Sequence, residues 1–328
     1  YINDAGNQVR TLGLAVLVAA GLAPDSEEYY RGEHIAEWAK NHDAEISKMK
    51  DDPESLGRLV AKDFLKNMIR PSVEGKMRVS FDRWTSEYEN LHQAGYVKRA
   101  LEIFKEKGLV YERDGAGWLK TTDFGDDKDR VLTTQNGFPT YLAADAGHYL
   151  ETKERGFPKK ILILGADHHG YVSRLQAVAS IVGLPESEII IMQLVKLMRG
   201  GKEVRMSKRR GVYVTIDELI DEVGLDAVRY FFLEKNPETH IDFDLELAKK
   251  HSKENPVYYI QYAHARIASI FRKGAMTPDK FDFSLLVSES EKTLAAKLIR
   301  FSEVLEDIAT DYRVSRLVHY AYELANAF

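Results

Sequence analysis

The sequence predicts an α/β protein with a parallel sheet, an inserted α+β domain and a C-terminal all-α region. Three patterns carry this prediction. A continuous apolar run, ILILG (161–165), precedes an amphipathic helix, as expected of a parallel strand buried on both faces. The polar segment 24–131 mixes helical spacing with hairpin signals, whereas residues 253–328 repeat helical spacing alone. We therefore expect a doubly wound sheet that is interrupted by one domain and followed by another.

Composition places the chain among ordinary globular proteins. Its 328 residues are 44% apolar and 30% charged, and none is cysteine. This excludes a disulfide framework and thiolate metal sites, and it favours a reducing compartment, here the cytoplasm. The early apolar run LGLAVLVAAGLA (12–23) is about half the length of a membrane-spanning helix. We therefore predict a buried helix there and no membrane partner.

The first segment, YINDAGNQ (1–8), is rich in side chains that form hydrogen bonds. Gly6 allows a backbone turn, and the apolar helix follows at once. This arrangement is typical of a binding site at the start of a helix. Asn and Asp also favour helix starts in proteins of any function, so capping is the alternative that the residues alone favour.

The inserted domain is predicted from a change to polar composition at about residue 24. Helical spacing recurs in its first half at Ile35, Trp38 and Ala39, and again at Phe64, Met68 and Val73. In its second half, ALEIFKEKGLVY (100–111) is helix-like, DGAG (114–117) marks a hairpin, and DDKDR (126–130) marks a charged turn. We expect a structural role for most of this segment.

From residue 132 the pattern changes to strand, helix and strand. The helix after ILILG places Val172, Leu175 and Ala179 on one side, and the strand EIIIM (188–192) follows it. This is a βαβ unit, and in such sheets ligands bind beyond the carboxyl ends of the strands. The segment GADHHGY (165–171) falls at that position.

A basic loop, VRMSKRRG (204–211), follows the next strand. Seven basic residues and one acidic residue between positions 196 and 210 give a net charge of +6, whereas the whole chain is at −5. Local positive charge beside Gly200 and Gly201 suits a polyanion that approaches the backbone closely, such as a triphosphate or RNA. A solvated loop without a ligand is the alternative, and the loop alone does not decide between the two.

The remainder is predicted to be helical. Thr215 and Glu218 form a capping box for a helix ended by Gly224, LDAVRYFFLEK (225–235) starts another, and residues 236–244 are a predicted linker. One apolar face then recurs through residues 253–328, at Ile260, His264, Ile267, Phe271, Leu294, Leu298, Phe301, Leu305, Ile308, Leu317, Ala321, Leu324 and Phe328. We expect an incomplete helical bundle in which His264 is a packed core residue.

Together these segments resemble the arginyl-tRNA synthetases of the bacterial type, which are class I aminoacyl-tRNA synthetases. The resemblance follows the family's order along nearly the whole chain and rests on YINDAGNQ, TDFGDDKDRVL, TYLAADAGHY, GADHHGY, VRMSKRRG, LDAVRYFF and QYAHARIASI. It implies a Rossmann-like catalytic domain (1–23 and 132–252), an inserted domain (24–131) and part of an anticodon-binding helical domain (253–328). It also implies ATP with Mg²⁺, L-arginine and arginine tRNA as ligands, no protein metal site, and a monomer.

The loop VRMSKRRG is similar to the Lys-Met-Ser-Lys signature of class I synthetases, with Arg205 at the first lysine. The resemblance implies that ATP reacts with the arginine carboxylate to give arginyl-adenylate, and that the tRNA 3′-terminal ribose then takes the arginyl group. Lys208 matches the catalytic lysine, and Arg205, Ser207 and Arg209 are implied beside it, where a mobile loop closes on the leaving pyrophosphate. Arginine in place of the first lysine keeps the charge but not its point-like geometry.

The resemblance also implies where the two small substrates bind. Asp145 is the candidate carboxylate for the arginine guanidinium, and Tyr141, four residues earlier, shares its face if the segment is helical. His168 and Gln8 are the further candidates for arginine, and the candidates for ATP are Gly165, Asp167, His169, Met206 and Lys208. Asn3, Asp4 and Asn7 match family positions near the amino acid and the tRNA end. The alternatives are a helix cap for Asp145 and core packing for Tyr141.

One family signature is missing from the sequence. A His-x-Gly-His segment, which cradles the ATP phosphates in this family, is expected just before Tyr1, and no such pattern occurs within the chain. Because the chain starts without Met and stops inside a helical pattern at Phe328, we expect it to be part of a longer protein. If the chain were the whole molecule, we would expect no arginine-dependent pyrophosphate exchange.

Two other functions remain open at this point. Asp167, His168 and His169 form the Asp-His-His triplet of manganese-dependent phosphoesterases, but the sequence has no second cluster of Asp and His ligands for two metals. A non-catalytic RNA-binding fragment is the other alternative, in which the helical region holds tRNA and the sheet is unused. The acidic pI of about 6.1 argues against indiscriminate RNA binding but not against a local patch.

Overall fold

A computed structural model describes residues 1–204, 214–274 and 282–328. Contacts divide the described residues into two compact units, 1–191 and 192–204 with 214–328. Among the described residues, no helix combines the length and apolar character that crossing a membrane requires.

The first unit combines seven α-helices with five strands. The helices are α1 (Asn7–Ala19), α2 (Glu33–Asn41), α3 (Asp43–Met49), α4 (Pro53–Phe64), α5 (Tyr96–Glu106), α6 (Tyr141–Glu154) and α7 (Val172–Val182). The strands are β1 (Val110–Arg113), β2 (Ala116–Leu119), β3 (Arg130–Thr133), β4 (Ile161–Gly165) and β5 (Glu188–Met192). Short π-helices cover Leu65–Ile69, Pro71–Lys76 and Tyr88–Gln93, and 3₁₀ turns cover Thr121–Phe124 and Ala166–Tyr171.

Helix α1 is the buried helix predicted from the early apolar run, and it packs directly against α4. The contact is close because both helices present a glycine: a Cβ on Gly13 would lie 1.8 Å from the Pro53 carbonyl oxygen, and one on Gly57 would lie 1.9 Å from that of Val9. The predicted apolar positions of α2 are all buried. The spacing beyond α4 is less well predicted, because the chain continues as π-helices and Met68 is 45% exposed.

The predicted hairpin lies where DGAG placed it. Strands β1 and β2 pair antiparallel, and both turn residues, Asp114 and Gly115, have positive φ, as a two-residue hairpin turn requires. Strand β3 adds to β2, and helices α5, α6 and α7 enclose a core that contains Phe104, Tyr149 and Ile181. This packing fixes β3 and α6 side by side.

Strand β4 departs from the prediction of burial on both faces. Leu162 and Leu164 pack on the core, whereas Ile161 and Ile163 are 46% and 61% exposed. Strand β5 is its neighbour, and the two form a two-stranded sheet within the described part of the chain. The prediction was wrong because α6 and α7 pack against the face that carries the leucines, and the isoleucines point away from that core.

The second unit has a three-stranded sheet and seven helices. The strands β6 (Val195–Arg199), β7 (Lys202–Glu203) and β8 (Ile241–Asp244) form a sheet of order β7-β6-β8, in which β6 and β8 are parallel. The helices are α8 (Ile216–Val223), α9 (Leu225–Leu233), α10 (Leu245–Lys249), α11 (Pro256–Gly274), α12 (Glu289–Ile299), α13 (Phe301–Asp311) and α14 (Ser315–Ala327). The capping box of Thr215 and Glu218 at the start of α8 is confirmed, as is the helical end at Gly224.

The predicted linker at 236–244 is wrong in its second half. Strand β8 occupies 241–244, with Ile241 and Phe243 buried and Asp242 and Asp244 exposed. The alternation of apolar and acidic residues is the period of a half-buried strand, and the sequence interpretation overlooked it. Phe243 packs against Phe231 of α9 with ring centroids 5.5 Å apart, so this segment belongs to the core.

The C-terminal helices form the predicted bundle, but its apolar face is open. The predicted apolar positions of α11, α12 and α14 line one groove of about 590 Å³, in which Phe271 and Leu298 are more than half exposed. His264 lies on the rim of this groove and is exposed, so its prediction as a packed core residue is wrong. The described helices leave that face without a second layer, so helical periodicity identified the face but not its burial.

Candidate active site

A small cavity lies where β3, the start of α6 and the start of α7 meet. Its volume is about 220 Å³, and its lining residues are Arg130, Val131, Thr140, Tyr141, Leu142, Asp145, Tyr171 and Arg174. Thr140 joins α6 to β3, since its hydroxyl donates to the Val131 carbonyl at 2.8 Å and its amide donates to the Leu132 carbonyl at 2.8 Å. The cavity wall is therefore built on two regular elements.

Tyr141 and Asp145 lie on the same face of α6, as the spacing of four predicted, and both line this cavity. Tyr141 is 59% exposed, so the alternative of core packing does not describe it. Asp145 lies in the interior of the helix and is not a cap. In the described parts of the chain, no hydrogen bond or ion pair to the Asp145 carboxylate is found.

The electrostatic state of Asp145 follows from burial. Burial raises the pKa of Asp145 to about 7, against the opposing effect of the Lys160 ammonium, with a further rise caused by Glu87. A carboxylate in this environment gains more from a bound cation than a fully solvated one does, because much of its own hydration is already lost.

Tyr171 and Arg174 also line the cavity, and the sequence did not identify either as a site residue. The Arg174 guanidinium lies 4.1 Å from the centre of the Tyr171 ring, and one of its Nη atoms donates to the Gly170 carbonyl at 3.3 Å. Its Nε is buried and has no hydrogen-bond partner within the described residues. The spacing of three residues between Tyr171 and Arg174 was the available signal, because it places both on one helical face.

A buried ion pair with Asp126 holds Arg130 at the cavity. The sequence predicts a charged turn for this segment, 126–130. The Nε and one Nη of Arg130 donate to the two Asp126 oxygens at 2.8 Å each, and Arg130 also pairs with Asp127. Ser173 of α7 donates to Asp126 at 2.9 Å. Burial alone would raise the pKa of Asp126, but the hydrogen bonds from Arg130 and Ser173 outweigh it and hold that pKa well below its usual range.

The segment GADHHGY lies at the carboxyl end of β4, as predicted. Gly165 is the last residue of the strand, and Asp167, His168 and His169 lie on the 3₁₀ turn that leads into α7. The His168 ring meets the Tyr171 ring edge to face at 5.2 Å, so His168 contacts a residue of the cavity without lining it. His169 is exposed.

The first segment lies at a different cavity. Asn3 and Gln8 line a cavity of about 790 Å³ together with residues between Glu27 and Phe64, and the Asn3 amide donates to Gln8 at 3.2 Å. The structure therefore does not bring Gln8 to the cavity of Asp145. The N-cap of α1 is Gly6 without a side-chain cap, so capping does not explain these polar residues. Asp4 has a structural contact, accepting from the Ser86 hydroxyl at 2.6 Å and the Tyr88 amide at 2.9 Å.

The remaining candidates lie in the basic loop. Arg205, Met206, Ser207, Lys208 and Arg209 lie outside the described residues. The helix that follows them, α8, starts with the confirmed capping box.

The phosphoesterase alternative finds no support in the described residues. Among them, no group of three or more His, Asp or Glu side chains is arranged to hold a metal ion. His168 lies 3.7 Å from the Asp167 carboxylate, and within the described part of the chain no other acidic side chain pairs with it.

Comparisons with known proteins assign the chain to a class. The fold, with a site at the carboxyl end of a strand and a C-terminal helical domain, is that of a class I aminoacyl-tRNA synthetase. The family model "tRNA synthetases class I (R), catalytic domain" matches residues 24–269, and the model "DALR anticodon binding domain" matches residues 260–328. The chain belongs to the arginine family of these synthetases.

Individual relatives agree with this assignment. The chain is 44% identical to an arginine–tRNA ligase of Syntrophotalea carbinolica and 43% identical to one of Carboxydothermus hydrogenoformans, and it spans 62% of the length of each. A crystal structure from Campylobacter jejuni, titled as an arginyl-tRNA synthetase of provisional assignment, matches with a TM-score of 0.87 and 34% identity over the whole chain and 74% of that protein. The arginyl-tRNA synthetase of Thermus thermophilus matches in fold, with a TM-score of 0.73 and 20% identity.

Proposed function

We propose that this chain carries part of the machinery that activates L-arginine with ATP and transfers it to arginine tRNA. One observation supports the choice of amino acid most directly. The Asp145 carboxylate faces a cavity, has no protein partner among the described residues, and lies one helical turn from an exposed tyrosine. Burial without a partner is costly for a carboxylate, and a cationic ligand removes that cost.

A guanidinium group fits this cavity by shape and charge. It is planar, it is charged at every physiological pH, and it offers donors that match the two oxygens of a carboxylate. The exposed ring of Tyr141 is available to flank its plane, in the way that aromatic faces attract cations, whereas the Tyr171 ring already carries the Arg174 guanidinium. We propose Asp145 as the residue that recognises the side chain of arginine, with Tyr141 as a wall of the pocket and His168 as support through Tyr171.

The chemistry proposed for the adjoining site is adenylation. An oxygen of the arginine carboxylate bonds to the α-phosphorus of ATP, and the bond to the pyrophosphate breaks. The 3′-terminal ribose hydroxyl of the tRNA then bonds to the arginyl carbonyl carbon, and AMP leaves. We propose that Lys208, with Arg205, Ser207 and Arg209, stabilises the pyrophosphate charge, and that Gly165, Asp167, His169 and Met206 contact ATP with its Mg²⁺.

The wider assignments are proposals of the same kind. We propose that residues 1–23 and 132–252 form the catalytic domain, that 24–131 is the insertion, and that 253–328 contacts the anticodon arm. We also propose that the protein acts in the cytoplasm as a monomer. The DALR match at 260–328 supports the anticodon role of the C-terminal helices.

The test separates recognition from chemistry in the full-length protein. Asp145→Asn should weaken arginine binding by about 100-fold or more, because it removes the charge that pairs with the guanidinium. Lys208→Ala should leave arginine binding intact and lower the rate of arginine-dependent pyrophosphate exchange. Asp82→Asn, at an exposed aspartate, is the matched control. Arginine binding that survives Asp145→Asn, measured by calorimetry, would refute the assignment of the pocket.

A further inference from the structure

A second titratable group lies beside Asp145, and the proposed function does not use it. Lys160 directly precedes β4, and its side chain is buried with 8% exposure. Its Nζ lies 4.5 Å from the centre of the Tyr149 ring and has no hydrogen-bond partner within the described residues. Tyr149 stands one helical turn beyond Asp145 on α6, and its hydroxyl likewise has no partner among those residues.

Three polar groups without a described partner therefore cluster on one side of α6: the Asp145 carboxylate, the Lys160 ammonium and the Tyr149 hydroxyl. Such groups are rare in folded proteins, because each one left without a partner costs about 1 to 3 kcal/mol. No ion pair joins Lys160 to Asp145 in the described structure, yet each is the strongest charged neighbour of the other. Lys160 and Asp145 therefore interact electrostatically without direct contact between their charged atoms.

A second anion, Glu151, and a neutral histidine, His148, also lie near Lys160. The charge of Glu151, on α6, is paired with two arginines, since Arg83 lies 3.0 Å and Arg155 lies 2.9 Å from its Oε1. Neither Glu151 oxygen accepts a hydrogen bond within the described residues. Burial lowers the pKa of His148 to about 2, with a further lowering by Lys160, so this neighbour of Lys160 is neutral. Glu87 and Arg174 also act on the pKa of Asp145, and their charges shift it in opposite directions. Of the two anions, Asp145 acts more strongly on Lys160 and is the one that no arginine pairs with among the described residues.

We propose that Lys160 compensates the charge of Asp145 in the empty pocket and gives its proton to solvent when a guanidinium group binds Asp145. This inference rests on the proposed function. A cation bound to Asp145 neutralises the carboxylate that stabilises the Lys160 ammonium, and it also places a repelling positive charge near Lys160. Both effects favour the neutral amine of Lys160. One arginine cation enters and one proton leaves, so the net charge of the buried region stays constant. Burial lowers the pKa of Lys160 to about 7, which makes the proton loss accessible at neutral pH.

The experiment reads the charge of Lys160 directly. The full-length protein is labelled with carbon-13 at lysine Cε, whose NMR shift distinguishes ammonium from amine, and Lys160→Met identifies the Lys160 signal. Methionine is close in volume and apolar, so the core is expected to accept it. Addition of saturating L-arginine at pH 7 should move the Lys160 signal to the position of the amine. The signal of Lys159, which pairs with Glu188 at 3.2 Å, should not move.

Two further arms separate this inference from the proposed function. Without any ligand, Asp145→Asn should lower the titration midpoint of Lys160 by about one pH unit or more, because the anion is gone; an unchanged midpoint overturns the coupling. Arginine that binds by calorimetry while Lys160 stays an ammonium overturns this inference and leaves the proposed function standing. A folded protein that does not bind arginine overturns both.

Discussion

The contact between α1 and α4 offers the sharpest test of how the first unit is assembled. In Gly13→Ala, the new Cβ would lie 1.8 Å from the Pro53 carbonyl oxygen, whereas ordinary contacts begin at 3.4 Å. The helices would have to separate by about 1.5 Å, and overpacking of this kind costs about 1 to 3 kcal/mol or more. Alanine returns about 1 kcal/mol through its better helix propensity. Because the obstacles are backbone atoms, which cannot turn aside as a side chain can, we take the upper end of about 3 kcal/mol and expect a net loss of about 2 kcal/mol.

Gly75 supplies a control that is matched in residue type. It lies in the π-helix Pro71–Lys76, and no atom lies within 4 Å of a Cβ placed on it. Gly75→Ala should therefore change the free energy of unfolding by no more than about 0.5 kcal/mol in the destabilising direction. Urea denaturation followed by circular dichroism measures both variants. If Gly13→Ala unfolds at the same urea concentration as Gly75→Ala, the close contact between α1 and α4 is refuted.

Two further predictions concern buried charges. The pKa of Asp145 is raised to about 7 in the folded protein, so its contribution to the free energy of unfolding falls as pH rises from the unfolded pKa to 7. The pKa of Lys160 is lowered to about 7, so its contribution to the free energy of unfolding rises as pH increases above 7. Relative to an Asp145→Asn, Lys160→Met double variant, the native protein should show a minimum in unfolding free energy near pH 7, about 2 kcal/mol below its values at pH 5 and pH 9; a flat difference would contradict it. Asp126→Asn should destabilise by about 3 kcal/mol, because the buried Arg130 guanidinium loses its buried carboxylate and keeps only the exposed one of Asp127. Asp127→Asn, at a carboxylate that is 69% exposed, should cost less than about 1 kcal/mol. Equal urea midpoints for these two variants would show that the burial of Asp126 does not matter.

The order of elements was largely readable from the sequence, because periodicity and turn chemistry are local. The hairpin at Asp114 and Gly115 and the capping box at Thr215 were both predicted from a few adjacent residues. The burial of β4 was not predicted correctly, because an apolar run does not reveal whether one or both faces of the strand are covered. The strand β8 was missed because only four residues carry its alternation, in a segment bounded by turn-forming residues.

The candidate site was predictable only in part, for a related reason. Tyr141 and Asp145 share a helix, so their spacing was sufficient to place them together. Lys160 comes from a different element and is a site neighbour only because α6 packs beside β4. For Gln8, the sequence resemblance implied a place in the arginine pocket with Asp145. The structure places Gln8 at another cavity.

The ion pair of Asp126 and Arg130 has a consequence for how this chain tolerates changes in length. Both residues are tied to different elements: Arg130 begins β3, and Asp126 is anchored to Ser173 of α7. Side chains alternate across a strand, so one inserted or deleted residue between them would turn Arg130 to the opposite face. We therefore expect the three-residue interval 127–129 to resist insertion and deletion, although it is a surface turn where length variation is ordinarily harmless.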